Sequence, residues 1–474
     1  MKESNVNLAG VVYDDHGFTF VPDLITRFKP FPRGAAVIGG FFGDEGKGKE
    51  IDILAEQYKV QGYKLLSVRG QGSGNAGHTV VDRNGKKYDF HYLTSAGLSA
   101  DVMLLGPGML IDPIRLIEEI KKLPEDKQKI IYVAERAEFV CDMERAMDAW
   151  CENQRSKSGQ KKIGTTKSGV GPGSGNRGYR VHLTFADILK KCMHNGKLNS
   201  KKLQHMLFEN PLWPEEVKKE FYEKSEYFEK LIKAIESIQI VCSEDVIQSC
   251  RKEGDWAVLL EVSQAVGLDP LFGNGGHYCT STPCTDIGGI VGSGLTMYDF
   301  PDGTTMVIKA YGSKVGGGPY ITKFQPDEMH IDQFIDDMVG EHGVTTGRKR
   351  DLGWIDGPAI RHSIQLTGAK NICINCMDVI VELPKVTDYV KVCFAYLKKD
   401  TDDEITYSWP YHLDDYEPLF VTLPLKLEDG TVKPKEQILA EYICLVEEVI
   451  GQKISGYGVG PSRAGYRERS EAFK

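Results

Sequence analysis

The sequence predicts an α/β fold: a large, mainly parallel central sheet flanked by helices, with phosphate-loop-like nucleotide-binding architecture and peripheral hairpins. Three observations predict it. Short apolar runs such as Ala35-Ala36-Val37-Ile38, Leu65-Leu66-Ser67-Val68 and Met306-Val307-Ile308 have the length of buried parallel strands. Helical stretches alternate with them. The glycine-rich polar segments fall after strands, where open α/β sheets place their ligands.

At 474 residues, 41% hydrophobic and 26% charged, the chain can bury a large core and is globular in composition. No internal repeat or low-complexity linker divides it. Residues 1–33 read as an N-terminal extension without chemistry and residues 34–474 as one large domain. A formal net charge of −9 argues against non-specific nucleic-acid binding. No apolar run approaches the roughly 20 residues needed to cross a bilayer, and no apolar signal core follows Met1-Lys2-Glu3-Ser4-Asn5. Eleven cysteines without framework spacing point to a reducing, cytoplasmic compartment.

In chain order, Val11-Val12-Tyr13 and Phe18-Thr19-Phe20-Val21 flank Asp14-Asp15-His16-Gly17, a hairpin signal. The first core strand, Ala35 to Ile38, then runs into Gly39-Gly40-Phe41-Phe42-Gly43-Asp44-Glu45-Gly46-Lys47-Gly48-Lys49-Glu50, and a helix follows from Ile51. A glycine turn between strand and helix aims free N–H groups and a positive helix end at an anion. Gly43, Gly48 and Lys49 fit the spacing G-x-x-x-x-G-K-[ST]. Glu50 stands where that pattern has its magnesium-holding hydroxyl, and Asp44 adds an acid to the loop. That acid either takes over the metal, or does proton chemistry beside the phosphates, or both.

The strand Lys64–Arg69 leads to a second glycine-rich loop, Gly70 to Thr79, in which His78 suits a catalytic role better than a core one. A helix from Pro113 to Lys122 and a strand from Ile130 to Val133 come next. Gly164 to Arg180 reads as a third glycine-rich loop whose hydroxyls and cations suit phosphate or sugar. The charged stretch Lys218 to Lys233 reads as a solvated helix face. The strand Trp256–Glu261 precedes Ser263-Gln264 and a Gly/Cys/Thr-rich loop. Another strand ends at Val315-Gly316-Gly317-Gly318. Arg348 and Arg350, on a Thr/Gly loop, can clamp carboxylate or phosphate. The strand Asn371–Asn375 has Asp378 near its carboxyl end, where a carboxylate can accept two N–H groups of a guanine edge. Cys373 and Cys376 form a C-x-x-C spacing on a strand, so they point to opposite faces and do not make a metal site. Thr401 to Gly430 reads as a peripheral hairpin region, and Gln437 to Val449 as the last helix.

Gly43-Asp44-Glu45-Gly46-Lys47-Gly48-Lys49, Asn75-Ala76-Gly77-His78-Thr79, Gly164-Thr165-Thr166, Gly169-Val170-Gly171-Pro172 and Thr345-Thr346-Gly347-Arg348-Lys349-Arg350 occur in the order and rough spacing of adenylosuccinate synthetases. From about Ala35 to Arg463 the chain resembles that family. The resemblance implies a GTP- and magnesium-dependent ligase that joins IMP to L-aspartate through a 6-phosphoryl intermediate, releasing GDP and phosphate. Asp44 would take the purine N1 proton, with His78, Lys47 and Gln264 as the other catalytic groups. Magnesium would sit on Asp44 and the Gly77 carbonyl. GTP would contact Gly43 to Lys49, Gly77, His78, Thr79, Arg350, Cys376, Met377, Asp378, Gly458, Val459 and Gly460. IMP would contact Asp44, Lys47, Asn75, Ala76, Gly77, His78, Thr166, Gln264, Thr280 and Arg348. Aspartate would meet Val315, Val344, Thr345, Thr346, Arg348 and Arg350. A homodimer is implied, with an arginine, best matched by Arg177, entering the neighbouring site.

Three departures bear on which nucleotides are used. The family's T-K-x-D motif is Asn375-Cys376-Met377-Asp378, without the lysine stem that packs over guanine. Only Gly173 to Asn176 separate Pro172 from Arg177, where the family has about eight residues. The loop after Gln264 is longer and richer in glycine. The alternatives are the same chemistry on GMP or dGMP, or with another nucleoside triphosphate. From a different class stands a non-catalytic GTP-binding regulatory protein. Retention of Asp44 and His78 speaks for the enzyme with IMP.

Overall fold

The computed structural model describes residues 11–14, 17–20, 29–75, 77–81, 86–160, 162–274, 276–343, 347–401 and 403–473. Its frame follows from the apolar runs. In the strand Arg33–Gly39, Ala36 and Ile38 join the core on one face of the sheet while Ala35 and Val37 join the core on the other. The same alternation places Val258 and Leu260 on one side and Ala257 and Leu259 on the other. A strand covered on both faces has no polar side to show, which is why these runs are continuously apolar. Each fully buried Val, Leu or Ile contributes about 1.5–3 kcal/mol.

Ten of the described strands make the central sheet. Their order across it is Gln239–Val241, Ile131–Ala134, Val102–Leu105, Lys64–Arg69, Trp256–Glu261, Arg33–Gly39, Gly303–Lys309, Asn371–Asn375, Gly456–Gly458 and Tyr466–Glu468. All pairings are parallel except the last. The chain moves outward from Arg33–Gly39 to one side, returns through Trp256–Glu261, and then builds the other side. That reversal opens a crevice at the carboxyl ends of the central strands. A smaller sheet pairs Tyr389–Lys398 with Ile355–Asp356, Ile405–Thr406 and Tyr416–Pro424. The last long helix is Lys435–Ile450. At the N-terminus Val11–Asp14 pairs antiparallel with Gly17–Phe20, while Asp15, His16 and residues 21–28 lie outside the described residues.

Two sequence readings are corrected here. Within the presumed loop 164–180, Val170–Gly178 is an α-helix although four of its nine residues are glycine. Each glycine costs the helix up to about 1 kcal/mol relative to alanine, so packing must supply the order. Gly173 lies so close to the strand Leu110–Ile111 that a Cβ on it would meet Leu110 Cδ2 at 2.5 Å. The stretch Lys218–Lys233 is not one solvated face. It splits into the helices Glu215–Lys219 and Ser225–Glu236, and the second buries Phe228, Leu231, Ile232 and Ile235 at helical spacing.

Candidate active site

The loop after Arg33–Gly39 turns into the helix Lys47–Val60 through Gly46, whose φ of 90° suits glycine and whose added Cβ would strike Asn375 Nδ2 at 2.7 Å. Asp44 itself holds φ 61°. Five of the seven described non-glycine residues with positive φ are Asp44, Lys167, Arg180, Gln264 and Cys376. All five lie in the glycine-rich or strand-end segments that the sequence marks for chemistry, and Gln and Cys rarely adopt this backbone. Such conformations persist where the surroundings enforce them, commonly at functional sites.

Glu45 turns back under the loop. Its carboxylate accepts from the N–H of Phe41 at 3.2 Å and of Gly43 at 2.7 Å, and pairs with Lys47 Nζ at 3.1 Å. Lys47 is therefore buried in an ion pair within the loop. Asp44 points the other way, its side chain 40% exposed, where Arg350 Nη1 reaches Oδ2 at 2.6 Å and Lys309 Nζ at 3.5 Å. Glu341 ties those cations together: Lys309 Nζ donates to it at 2.7 Å, Arg350 Nη1 at 2.6 Å, and the Tyr311 hydroxyl also donates. Burial pushes Glu341 up, but Lys309 and Arg350 outweigh it and hold the carboxyl at about 2. Lys309, Tyr311 and Glu341 escaped the sequence reading. The available signal was Lys309 and Tyr311 at the end of an apolar strand, aimed at the crevice.

His78 opens the short strand His78–Val81, and its Nδ1 lies 2.8 Å from Glu261 Oε1. Glu261 is fully buried and also accepts from Ser95 N at 2.6 Å and Oγ at 2.8 Å. Burial opposes its ionisation, yet His78, the Arg69 guanidinium and the Ser95 N–H bring its pKa to about 2. An ionised carboxylate can only accept, so Nδ1 carries the proton and Nε2 is left buried without a partner among the described residues.

Gln264, directly beyond the same strand, has Oε1 within 3.5 Å of the Cys284 thiol, and its buried Nε2 has no partner among the described residues. Thr280 is anchored by its N–H to the Leu268 carbonyl at 2.8 Å. Arg348 Nη2 donates to the Gly164 carbonyl at 2.7 Å, bringing the Gly164-Thr165-Thr166 segment to the arginine loop. Thr166 Oγ1 donates to Ser168 Oγ at 2.9 Å. Arg177, on the helix Val170–Gly178, pairs with Glu138 of its own chain at 3.0 Å. Asn75 sits in the turn before His78, Thr79 Oγ1 donates to Asp89 at 2.7 Å, and Gly77 precedes the strand. Val315 follows the strand Gly312–Lys314. Ala76, Val344, Thr345 and Thr346 lie outside the described residues.

Further along the crevice, Cys376 caps the helix Met377–Glu382 at φ 61°. Asp378 stands in that helix's first turn, three residues beyond the strand Asn371–Asn375, with Oδ1 buried and unpartnered among the described residues. Met377 is buried in the core, and Val459 N–H bonds the Gly465 carbonyl at 2.8 Å, shaping the turn that carries Gly458 and Gly460. Cys373 is buried beside Glu50, and all eleven cysteines are free.

Glu50, at the place of the missing hydroxyl, turns inward. Burial raises its carboxyl from 4.5 to about 7, opposed by hydrogen bonding to Cys373 and by Lys49. A folded pKa above the unfolded value means stability is full below about pH 4.5 and is lost as pH rises through about 7. Glu50→Gln should therefore raise the melting temperature at pH 8, by up to about 3 kcal/mol of stability, and change it little at pH 5. Thermal unfolding at both pH values reads this directly; equal effects at the two would remove the ionisation cost.

Among the described residues no group of three or more His, Cys, Asp or Glu side chains could hold a metal. A divalent cation here would need ligand oxygens from substrate. Asp44, the exposed acid at the loop, is the kind of hard oxygen donor that magnesium takes together with phosphate and water.

A parallel sheet whose strand ends gather a phosphate loop, a histidine–carboxylate pair and buried cations around one acid defines a nucleotide-dependent enzyme of phosphoryl transfer. A family profile described as adenylosuccinate synthetase matches residues 36–466. Adenylosuccinate synthetase of Bacillus anthracis is 32% identical over 444 residues, covering 90% of this chain and 96% of its own. That of Lactococcus lactis subsp. cremoris strain SK11 is 32% identical over 447 residues, with the same coverage. The structure of fully ligated adenylosuccinate synthetase from Plasmodium falciparum superposes with a TM-score of 0.79 at 26% identity, covering 92% of this chain and 99% of that one. Succinoaminodeoxyadenylate synthetase of cyanophage S-2L, at 16% identity and a TM-score of 0.55, shares the fold. The chain belongs to the adenylosuccinate synthetase family.

Proposed function

We propose that the protein joins IMP to L-aspartate at the expense of GTP, forming adenylosuccinate, GDP and phosphate. The observation that carries this is the pairing, in one crevice, of an exposed Asp44 on the phosphate loop with a His78 whose Nε2 is left open by Glu261. In this reading Asp44 takes the N1 proton of the hypoxanthine ring, so charge builds on the 6-oxygen, which attacks the γ-phosphate. His78, carrying a proton on Nε2 as well as on Nδ1 with Glu261 as its counter-ion, donates from Nε2 toward the β–γ bridge and stabilises the departing charge. Gln264 Nε2 supplies a donor for the purine 6-substituent. Lys309 and Arg350 neutralise charge around Asp44, and Arg348 and Arg350 receive the carboxylates of aspartate. The aspartate amine then displaces phosphate from C6. Asp378 accepts from the guanine N1–H and 2-amino group. Mg2+, held by Asp44 and the Gly77 carbonyl, would screen phosphate charge when bound.

We also read the active form as a homodimer. On the helix Asp286–Ser293, a few residues beyond Thr280, Ile287 and Val291 are 49% and 75% exposed and lie four apart, and Met297 continues the patch at 62%. An apolar face at that spacing beside the nucleotide loop suits a second copy. Sheet strands drawn from Arg33 to Glu468 support one catalytic unit. Free cysteines and the absence of any described helix able to cross a membrane support a cytoplasmic setting.

The test is a turnover assay crossing IMP, GMP and dGMP with GTP and ATP at fixed aspartate, with the mass in solution measured alongside. Product from IMP with GTP, and a mass twice that of the 52.8 kDa chain, are expected. No product from any pair would return the protein to the regulatory GTP-binding class.

A further inference from the structure

Lys49 holds the lysine position of the phosphate-loop pattern, from which a side chain ordinarily reaches the β- and γ-phosphates. Its ammonium does not stay at the loop. Nζ donates to the carbonyl of Gly460, 411 positions away, at 3.0 Å. A Cβ on Gly458 would lie 2.5 Å from Nζ and 2.1 Å from Asn375 Oδ1, so the ammonium fills the gap between the ends of Asn371–Asn375 and Gly456–Gly458. Asp378 begins the helix beside that gap with Oδ1 buried and unpartnered among the described residues. Burial depresses the Lys49 ammonium, and the fields of Cys376 and Asp378 act against it. The cations around the loop itself are others: Lys47 beneath it, Lys309 and Arg350 at Asp44.

We infer that Lys49 reads the base rather than the phosphates, donating from its ammonium to the 6-oxygen of guanine while Asp378 accepts from N1–H and the 2-amino group. The inference rests on the reading of Asp378 as the guanine-edge acceptor. An ammonium has three N–H donors and Gly460 takes one. Guanine offers an acceptor at position 6 beside a donor at N1. Adenine offers the reverse, so its amino group would face an ammonium and its N1 a carboxylate, each left unpaired. Cys376 cannot serve instead: its short thiol is engaged with Tyr311, and burial raises it to about 11. No side chain at position 376 therefore competes with the Lys49 ammonium for the 6-oxygen.

The experiment compares GTP, ATP and 6-thioguanosine triphosphate, which keeps N1–H and the 2-amino group but presents a weaker acceptor at position 6. Steady-state kinetics and equilibrium titration of a non-hydrolysable GTP analogue are run on the wild-type protein, Lys49→Met and Lys49→Arg. Lys49→Met is expected to raise KM for GTP by about 10- to 100-fold, weaken the analogue equally, and leave kcat within about threefold. Its preference for GTP over ATP should fall by the same factor, and its discrimination against the thio nucleotide should vanish. Lys49→Arg keeps the preference. A loss of kcat with GTP and ATP alike, at unchanged preference, would make Lys49 a phosphate ligand and overturn the inference while leaving Asp378 in place. A wild-type protein that prefers ATP overturns the guanine reading of Asp378, and this inference with it. If Lys49→Met melts below the assay temperature, Lys49→Gln takes its place under the same criteria. In the wild-type protein, equal use of GTP and the thio nucleotide counts against the inference.

Discussion

Asp44→Asn is expected to lower kcat by about 10³-fold or more while changing the affinity for GTP by less than about tenfold. General-base catalysis by a positioned carboxylate contributes roughly 10²–10⁴ in rate, and the same side chain is the proposed oxygen ligand for magnesium. Binding should survive because the loop is held together by other groups. Glu45 engages Phe41 and Gly43 N–H and Lys47, and Gly46 caps the helix, with no help from the Asp44 carboxylate. Arg350 and Lys309 would keep Glu341 as their counter-ion. Adenylosuccinate formation followed by absorbance, beside calorimetric titration of GTP, separates the two quantities. Wild-type turnover in the asparagine variant would take the proton from some other group.

The second large effect concerns His78 and the carboxylate behind it. His78→Asn should reduce kcat by about 10²–10⁴, and Glu261→Gln by a smaller factor, since an amide can still accept from Nδ1 but no longer favours a charged imidazole. Stability should move with it. The Glu261 carboxyl is held at about 2 against an ordinary 4.5, and its folded pKa is depressed. The pair therefore adds stability above about pH 4.5, and loses it as pH falls toward 2. The difference corresponds to about 3 kcal/mol. Melting curves from pH 7 down to pH 3 should show wild type losing more than half of this increment and Glu261→Gln starting without it. Parallel acid limbs for the two proteins would mean the carboxylate is not what the fold protects.

How much of this was legible beforehand differs from residue to residue. The strand-loop-helix at Ala35 to Gln57 was legible because all of its determinants are local: an apolar run, positive-φ glycines and a helix start. His78 and Gln264 could be singled out because each follows a strand directly. The helix Val170–Gly178 could not, because its glycines argue against it and it is packing on the strand Leu110–Ile111 and the helix Asp142–Lys157 that holds it. Nor could Glu341, whose partners Lys309 and Arg350 arrive from opposite directions along the chain.

By itself the sequence determined the class of sheet, the order of the motifs, the phosphate loop with its own acid, and the family to which the chain belongs. Short-range pattern suffices for these, since strand burial, turns and helix starts are set by neighbours within a few positions. Tertiary structure alone decided where the charges of those motifs go. Glu50 turns into the core. Lys49 crosses to Gly460, and Asp44 meets a lysine 265 positions away. The Lys309–Asp44 pair forms because the strands Arg33–Gly39 and Gly303–Lys309 lie side by side and end together, and no local pattern in the chain records which ends meet.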